Sequence, residues 1–535
     1  MKRSIIILVI ALVIITALLG SLAACGGGTT TTPPASSSTT KTSTTQTTTT
    51  TSSKYGGVFR IIPNLGWNPL AVIGYPPEMT FIGAADLLPC LERLVRTDFK
   101  GAPVPFLAQT WEVAPDMKSI TLGLKQGVKF HDGSDFNAEV VKWNLDNQIT
   151  AKGMGTQSWK SVEVVDPYKI RINLTEWVNN IYATLAGGTG YIISKAAFDK
   201  NGLDWVRVNP VGTGPFKFKS YQRDVSLKFE RFDNYWQKDA QGNQLPYLDG
   251  IEFTFISDLN TMFVTMTSGG ADTWQVMVAH SVKQAQDAGF RINYYTDGAG
   301  LFWFDSANPK SPFANVKVRQ AVDYAIDRDG IVNSLGFGIW QPLYQIVAKG
   351  FPAYVPGAER HYDPAKAKAL LAEAGYPNGF DTVLIGATDA ETEMLAAIQN
   401  NLKAIGINAE VQVKEMAVYQ PMRNTGWEGM LWAPLKAWAN FYDSLAQYFV
   451  IPVMKLGSVA HPPGLDEAIA AAAASPVPQA ELQQAAVKIV WDNALAFGVY
   501  AFSVGNATAN YVHDDNFQKL GDQLWTPELT WMDKK

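Results

Sequence analysis

The sequence predicts an α/β protein with more than one lobe, and three observations carry that expectation. Beyond Lys54 the 535-residue chain is longer than a single hydrophobic core usually supports. Short runs of β-forming residues crowd its first half, at 57–62, 119–124, 169–174, 225–229 and 251–255. Helical periodicity dominates the second half. Strands and helices mixed in this order, with no internal repeat, fit several α/β lobes better than one doubly wound sheet.

The N-terminus reads as a targeting segment. Lys2 and Arg3 precede an apolar run from Ile5 to Leu19, interrupted by Thr16 alone. That run is shorter than the roughly 20 residues a membrane span needs, so residues 1–24 are expected to be a secretory signal peptide. The cleavage region Leu22-Ala23-Ala24-Cys25-Gly26 resembles the lipobox of bacterial lipoproteins, which makes Cys25 the expected lipidation site and the acyl chains the expected membrane anchor. From Gly26 to Ser53 the chain is nearly all Thr, Ser, Gly and Pro and has no large apolar side chain to bury. Residues 25–54 are therefore expected to be the lipidated cysteine followed by a disordered tether.

Two helices carry local start signals. Over 315–332, Val318, Ala321, Val322, Ala325 and Ile326 form one apolar stripe with Asn315 as N-cap. A second helix begins at Asp363 with Pro364 in its first turn, buries Ala367, Leu370, Leu371 and Ala374, and stops at Gly375. Further helices are expected over 468–474 and 479–493.

Composition narrows the function classes. The net charge is −5 and no Lys/Arg-rich block appears, so nucleic acid is not an expected partner. Cys90 is the one cysteine besides Cys25, which leaves no internal disulfide. There is no G-x-S-x-G, H-E-x-x-H, P-loop or C-x-x-C pattern, so no catalytic residue is assigned and an enzyme is not expected. The five histidines, His131, His280, His361, His461 and His513, lack i,i+3 or i,i+4 ligand spacing, and neither a metal site nor a cofactor is expected. Sixteen tryptophans suit an aromatic-lined pocket, although most large apolar side chains end in cores.

Several motifs have plain local readings. In Lys129-Phe130-His131-Asp132-Gly133 the Asp-Gly pair signals a turn, with His131 a hydrogen-bonded turn residue. Gly212 and Gly214 permit tight turning before a strand at 216–219. Arg319 and Asp323 have i,i+4 spacing for an ion pair, worth only about tenths of a kcal/mol if exposed.

Taken together, GGVFR at 56–60, PFLAQTWEVAPDMKSITLGLKQGVKFHDG at 105–133, NPVGTGPFKFKSY at 209–221, LPYLDGIEFTFISD at 245–258, PFANVKVRQAVDYAIDRDGIV at 312–332 and YDPAKAKALLAEAGYPNGF at 362–380 resemble the extracellular solute-binding proteins, family 5. These serve peptide, nickel and oligosaccharide ABC importers. The resemblance implies a two-lobed, periplasmic-binding-protein-like clamp of class II type with an inserted subdomain. It places the first lobe at 55–85, 206–303 and 500–535, the insertion at 86–205 and the second lobe at 304–499, with hinges near Phe304 and Tyr500. It further implies a small-molecule ligand, a peptide first and an oligosaccharide or similar solute next, delivered outside the cytoplasm to a permease and its ATPase. A metal-complex, haem-binding or sensory lipoprotein on the same scaffold, or an extracellular hydrolase, stays open as the alternative.

By the same resemblance the ligand-binding candidates are Trp303, Trp427, Trp432, Trp438, Asn440 and Asp443. Trp303 either stacks on ligand or packs the hinge. Peptide binders of this family often hold the peptide ammonium with an aspartate. The best-matching position here is the neutral Asn440, and the nearest acid is Asp443.

Overall fold

The computed structural model describes residues 54–63, 72–79, 87–98, 101–276, 278–387, 392–436, 438, 440–452, 454–516 and 526–533, without the side chains of 295, 297 and 504. The apolar leader, Cys25 and the Thr/Ser-rich segment to residue 53 lie outside the described residues.

Two sets of parallel strands sit in one sheet, joined by an antiparallel pair. In the first set, Val58–Ile62 runs parallel to both Gly250–Thr254 and Thr273–Val276, and the strands Ser226–Arg231 and Phe216–Gln222 extend the outer edge. Phe59, Ile61 and Ile62 are fully buried, as expected for a strand covered on both faces. In the second set, Phe380–Ala387 runs parallel to Ile407–Lys414 and to Met430–Trp432. Between the sets lie two long crossing strands, Arg291–Phe304 and Ala496–Thr508, paired from Arg291 opposite Thr508 to Trp303 opposite Ala496. The result is a mixed α/β, two-lobed clamp whose lobes share the crossing strands.

The inserted subdomain has its own core. A four-stranded antiparallel sheet of Ala108–Val113, Ser119–Leu124, Lys169–Leu174 and Trp159–Asp166 buries Ile120, Leu122, Ile170 and Ile172. The helix Ala138–Thr150, capped by Asn137, buries Val141 and Leu145 in the same cluster. His131 ties this subdomain to the first lobe. Its Nδ1 accepts from the Gly212 N–H at 3.4 Å and its Nε2 donates to the Gly214 carbonyl at 2.9 Å, while burial pushes its pKa down to about 4.

Most expected elements form within a residue or two of their expected ends. Asp363 accepts from the Lys366 N–H at 2.9 Å and Pro364–Glu373 is the helix that follows. Gly375 then takes φ +90°, a conformation that favours glycine.

Two expectations need correction. The helix expected over 315–332 is two helices, Val316–Ala325 and Arg328–Leu335, with Ile326 extended between them and Asp327 capping the second. Arg328, fully buried, donates to the carbonyls of Asp323, Leu343 and Gly498, and these bonds fix the break. Asp323 does not pair with Arg319. It binds Arg328 and, at 3.0 Å, Arg360, whereas Arg319 donates to the carbonyls of Phe313, Asn493 and Ala494. Burial without an acid pulls the Arg319 pKa down to about 10.

Candidate ligand-binding cleft

The crossing strands carry small residues where large rings must pass. A Cβ on Gly298 would lie 2.3 Å from the Phe502 ring, and one on Gly300 would lie 2.8 Å from the Trp432 ring. Glycine at both positions lets aromatic side chains lie against the backbone where the lobes join. The register of the crossing strands also slips twice here, between Thr296 and Gly298 and between Gly300 and Leu301.

The six candidate residues fall into three groups. Trp303, Trp427 and Trp432 are buried in cores. Trp303 stacks on Tyr448 at 5.3 Å and donates its Nε1 hydrogen to the Ala433 carbonyl. Trp432 packs between Phe302 and Tyr500. Trp427 is held by Ser458, which accepts from its backbone N–H and donates to its carbonyl, while its own Nε1 is buried without a partner among the described residues.

Trp438 is half-buried. The Lys436 ammonium lies 5.0 Å from its ring centroid, a cation–π geometry, and the two-residue strand Leu435–Lys436 pairs with Gly298–Ala299 of a crossing strand. Lys436 is a cation beside the crossover that sequence reasoning missed, and a lone lysine between an apolar and an aromatic stretch carries no motif to flag it.

Asn440 and Asp443 meet the inserted subdomain. Asn440 donates to Asn179 Oδ1 at 3.0 Å and accepts from Gln483 Nε2 at 2.8 Å, so protein groups occupy both ends of its amide. Asn179 also donates to the Ala472 carbonyl and Ser475 Oγ, its backbone N–H reaches the Ala473 carbonyl, and Trp177 Nε1 donates to the Ser475 carbonyl. The loop 175–180 thereby inserts between the helices Phe441–Phe449 and Leu465–Ala474. Asp443 is half-buried, and its Oδ2 has no hydrogen-bond partner among the described residues. Burial pushes its pKa up to about 7, partly offset by a hydrogen bond from Asn180.

A separate cavity of about 700 Å³, lined by residues such as Gly57, Arg60, Asp272 and Tyr511, opens beside the start of the strand Val58–Ile62. None of the six candidates lines it.

Comparison with known proteins fits this architecture. Residues 102–450 match the middle region of the bacterial extracellular solute-binding proteins, family 5. The glutathione-binding protein GsiB of Salmonella typhi is 34% identical over 316 residues, covering 57% of this chain and 60% of that protein. The match thus spans less than two thirds of the relative's own length. HbpA2 from Haemophilus parasuis superposes with a TM-score of 0.77 at 22% identity, over 89% of this chain and 100% of that one. DppA from Helicobacter pylori, solved with the peptide STSA, gives 0.72 at 22% identity, over 90% and 99%. These likenesses extend the fold across nearly all of the chain, and the family match covers more than half of it. The chain belongs to the bacterial extracellular solute-binding proteins, family 5.

Proposed function

We propose that this chain captures a small peptide between its lobes and passes it unaltered to an ATP-driven permease, working outside the cytoplasm. Family membership is the observation that carries this reading, and the pair of crossing strands supplies the mechanical element that capture needs. The lobe bounds of this proposal are 55–85, 206–303 and 500–535 for the first, 86–205 for the insertion and 304–499 for the second. The hinge of this proposal, expected near Phe304 and Tyr500, falls at the register slips, 296–301 opposite 498–503.

In this reading Trp438, Lys436 and Asp443 are the residues of the stretch that face ligand, and Trp303, Trp427 and Trp432 hold their backbone in place. Lys436 offers a cation to a peptide carboxylate. Peptide is favoured over other solutes because GsiB is named for glutathione binding and DppA was solved with a peptide. Calorimetry of the full chain with glutathione and with the tetrapeptide Ser-Thr-Ser-Ala tests it. Saturable binding of at least one, recovered intact by mass spectrometry, is expected. Absence of binding to both, or recovery of cleaved peptide, would overturn the reading.

The membrane attachment proposed here is through acyl chains on Cys25, supported by the Leu22-Ala23-Ala24-Cys25 motif that follows the apolar run. Cys25→Ser is expected to release the protein or leave an unprocessed precursor. Correctly cleaved Cys25→Ser that stays in the membrane fraction would rule out that anchor.

A further inference from the structure

Gln275, Asn506 and Asn293 lie directly opposite one another on three adjacent strands. Gln275 on Thr273–Val276 pairs with Asn506 on one crossing strand, which pairs in turn with Asn293 on the other. Directly opposed residues share a face of the sheet, so the three amides form one row. The residues on either side of this row along the strands, Trp274, Val276 and Ala507, point to the opposite face and are buried in an apolar cluster.

Two of the three amides present an acceptor that no described residue satisfies. Gln275 Oε1 and Asn506 Oδ1 are both buried and have no hydrogen-bond partner among the described residues, and Asn506 as a whole is 3% exposed. Buried carbonyl oxygens in native proteins are nearly always paired, so two unpaired ones side by side on a central sheet mark a place where a donor is missing. The neighbouring row is fully engaged by comparison. Thr273 and Thr508 hydroxyls lie 2.9 Å apart, and Arg291 reaches Asp515 at 3.1 Å. Asn293 Nδ2 points to the same Asp515 carboxylate at 3.4 Å.

The row stands beside the crossover. It lies one strand repeat before Tyr295 and Val504, and the first register slip follows at Thr296. We infer that Gln275 and Asn506 form a ligand subsite on the first lobe that accepts hydrogen bonds from uncharged donors, above all the amide N–H groups of a peptide. The charge balance sets that class. Asp515, the acid that Asn293 reaches, is paired with Arg291, so among the described residues the row offers acceptors without an uncompensated negative charge to hold an ammonium. This subsite rests on the peptide-capture reading and names where the middle of the peptide is held, whereas Lys436 serves its carboxylate.

The test is the full chain carrying Gln275→Met and Asn506→Leu, which keep side-chain size and remove the acceptors. Each lost hydrogen bond weakens binding about fivefold, so the double variant should bind glutathione or Ser-Thr-Ser-Ala about twenty-fivefold more weakly. Its melting temperature without peptide should be no lower than wild type, because an unsatisfied buried acceptor has been replaced by an apolar group. Gln275→Met alone, at a half-buried position, gives the same readout at about fivefold if the double variant does not fold. Wild type that binds neither peptide overturns the capture reading and this subsite with it. Wild type that binds, with variants that bind equally well, overturns the subsite alone.

Discussion

At the scale of single residues, Asp443 is the clearest case of a side chain whose environment sets its chemistry. Its ordinary pKa is about 3.9, and burial lifts it to about 7 in the folded chain. The native state therefore binds this proton more tightly than the unfolded chain does. The resulting stability is full below about pH 4 and is lost as the pH rises toward 7. Asp443→Asn should accordingly raise the melting temperature at pH 8 and leave it close to wild type at pH 4. Equal shifts at both values would mean the carboxyl is not held away from water. Glu92 is also pushed up to about 7 by burial, although Tyr235, Trp236 and Thr213 all donate to it, and burial pulls His131 down to about 4, so the wild-type pH slope combines these groups and the variant isolates Asp443. Asn440 and Asp443 are neighbours on the same turn, and the sequence offered both as anchors for one ligand group. Their fates separate because Asn179, far away in the chain, occupies the Asn440 amide, and no local pattern encodes that meeting.

At the scale of elements, the loop 175–180 joins the insertion to the helices Phe441–Phe449 and Leu465–Ala474. Asn179 is 1% exposed and receives one hydrogen bond from Asn440 while its amide donates two. A net buried hydrogen bond contributes about 0.5–1.5 kcal/mol, and a stranded buried partner costs about 1–3 kcal/mol. Asn179→Ala is therefore expected to destabilise the chain by about 2–4 kcal/mol in urea unfolding, and Asn440→Ala by about 1–3 kcal/mol. Because the two amides touch, the double variant should lose less than the sum of the singles by about 1 kcal/mol. Additivity within about 0.3 kcal/mol would show that the amides do not interact in solution. Elements with their own chemistry were legible beforehand, as at Asp363, Pro364 and Gly375, where cap, first turn and stop all lie within the helix or next to it. The break between Val316–Ala325 and Arg328–Leu335 was not, because the apolar stripe continues through Ile326 and the cause is Arg328, buried against carbonyls from Leu343 and Gly498. The same limit hid the amide row, whose three members come from strands separated in sequence and are joined by register alone.

At the scale of the whole molecule, the two sets of parallel strands are joined through the antiparallel pair of crossing strands, whose two irregularities fall between Thr296 and Leu301. A β-bulge leaves one residue unpaired, bends its strand and increases the local twist, so a pair with two such slips is easier to bend there than along its regular stretches. Gly298 and Gly300 lie at these slips and add backbone freedom where Phe502 and Trp432 close over them. Rotation about this point would move Lys436 and Trp438, on the second-lobe side, relative to Gln275 and Asn506, on the first. A peptide touching both sides gains its contacts only when they approach, which is the differential affinity a ligand needs to shift a conformational equilibrium. Solution scattering of the full chain, with glutathione or Ser-Thr-Ser-Ala at a saturation verified by calorimetry, should give a smaller radius of gyration than the free protein. The Gln275→Met, Asn506→Leu variant at its own saturating concentration should close less completely, since one side of the bridge is missing. An unchanged radius for wild type at saturation would mean that ligand enters a clamp already closed, with loop 175–180 holding the lobes together whether or not the cleft is filled.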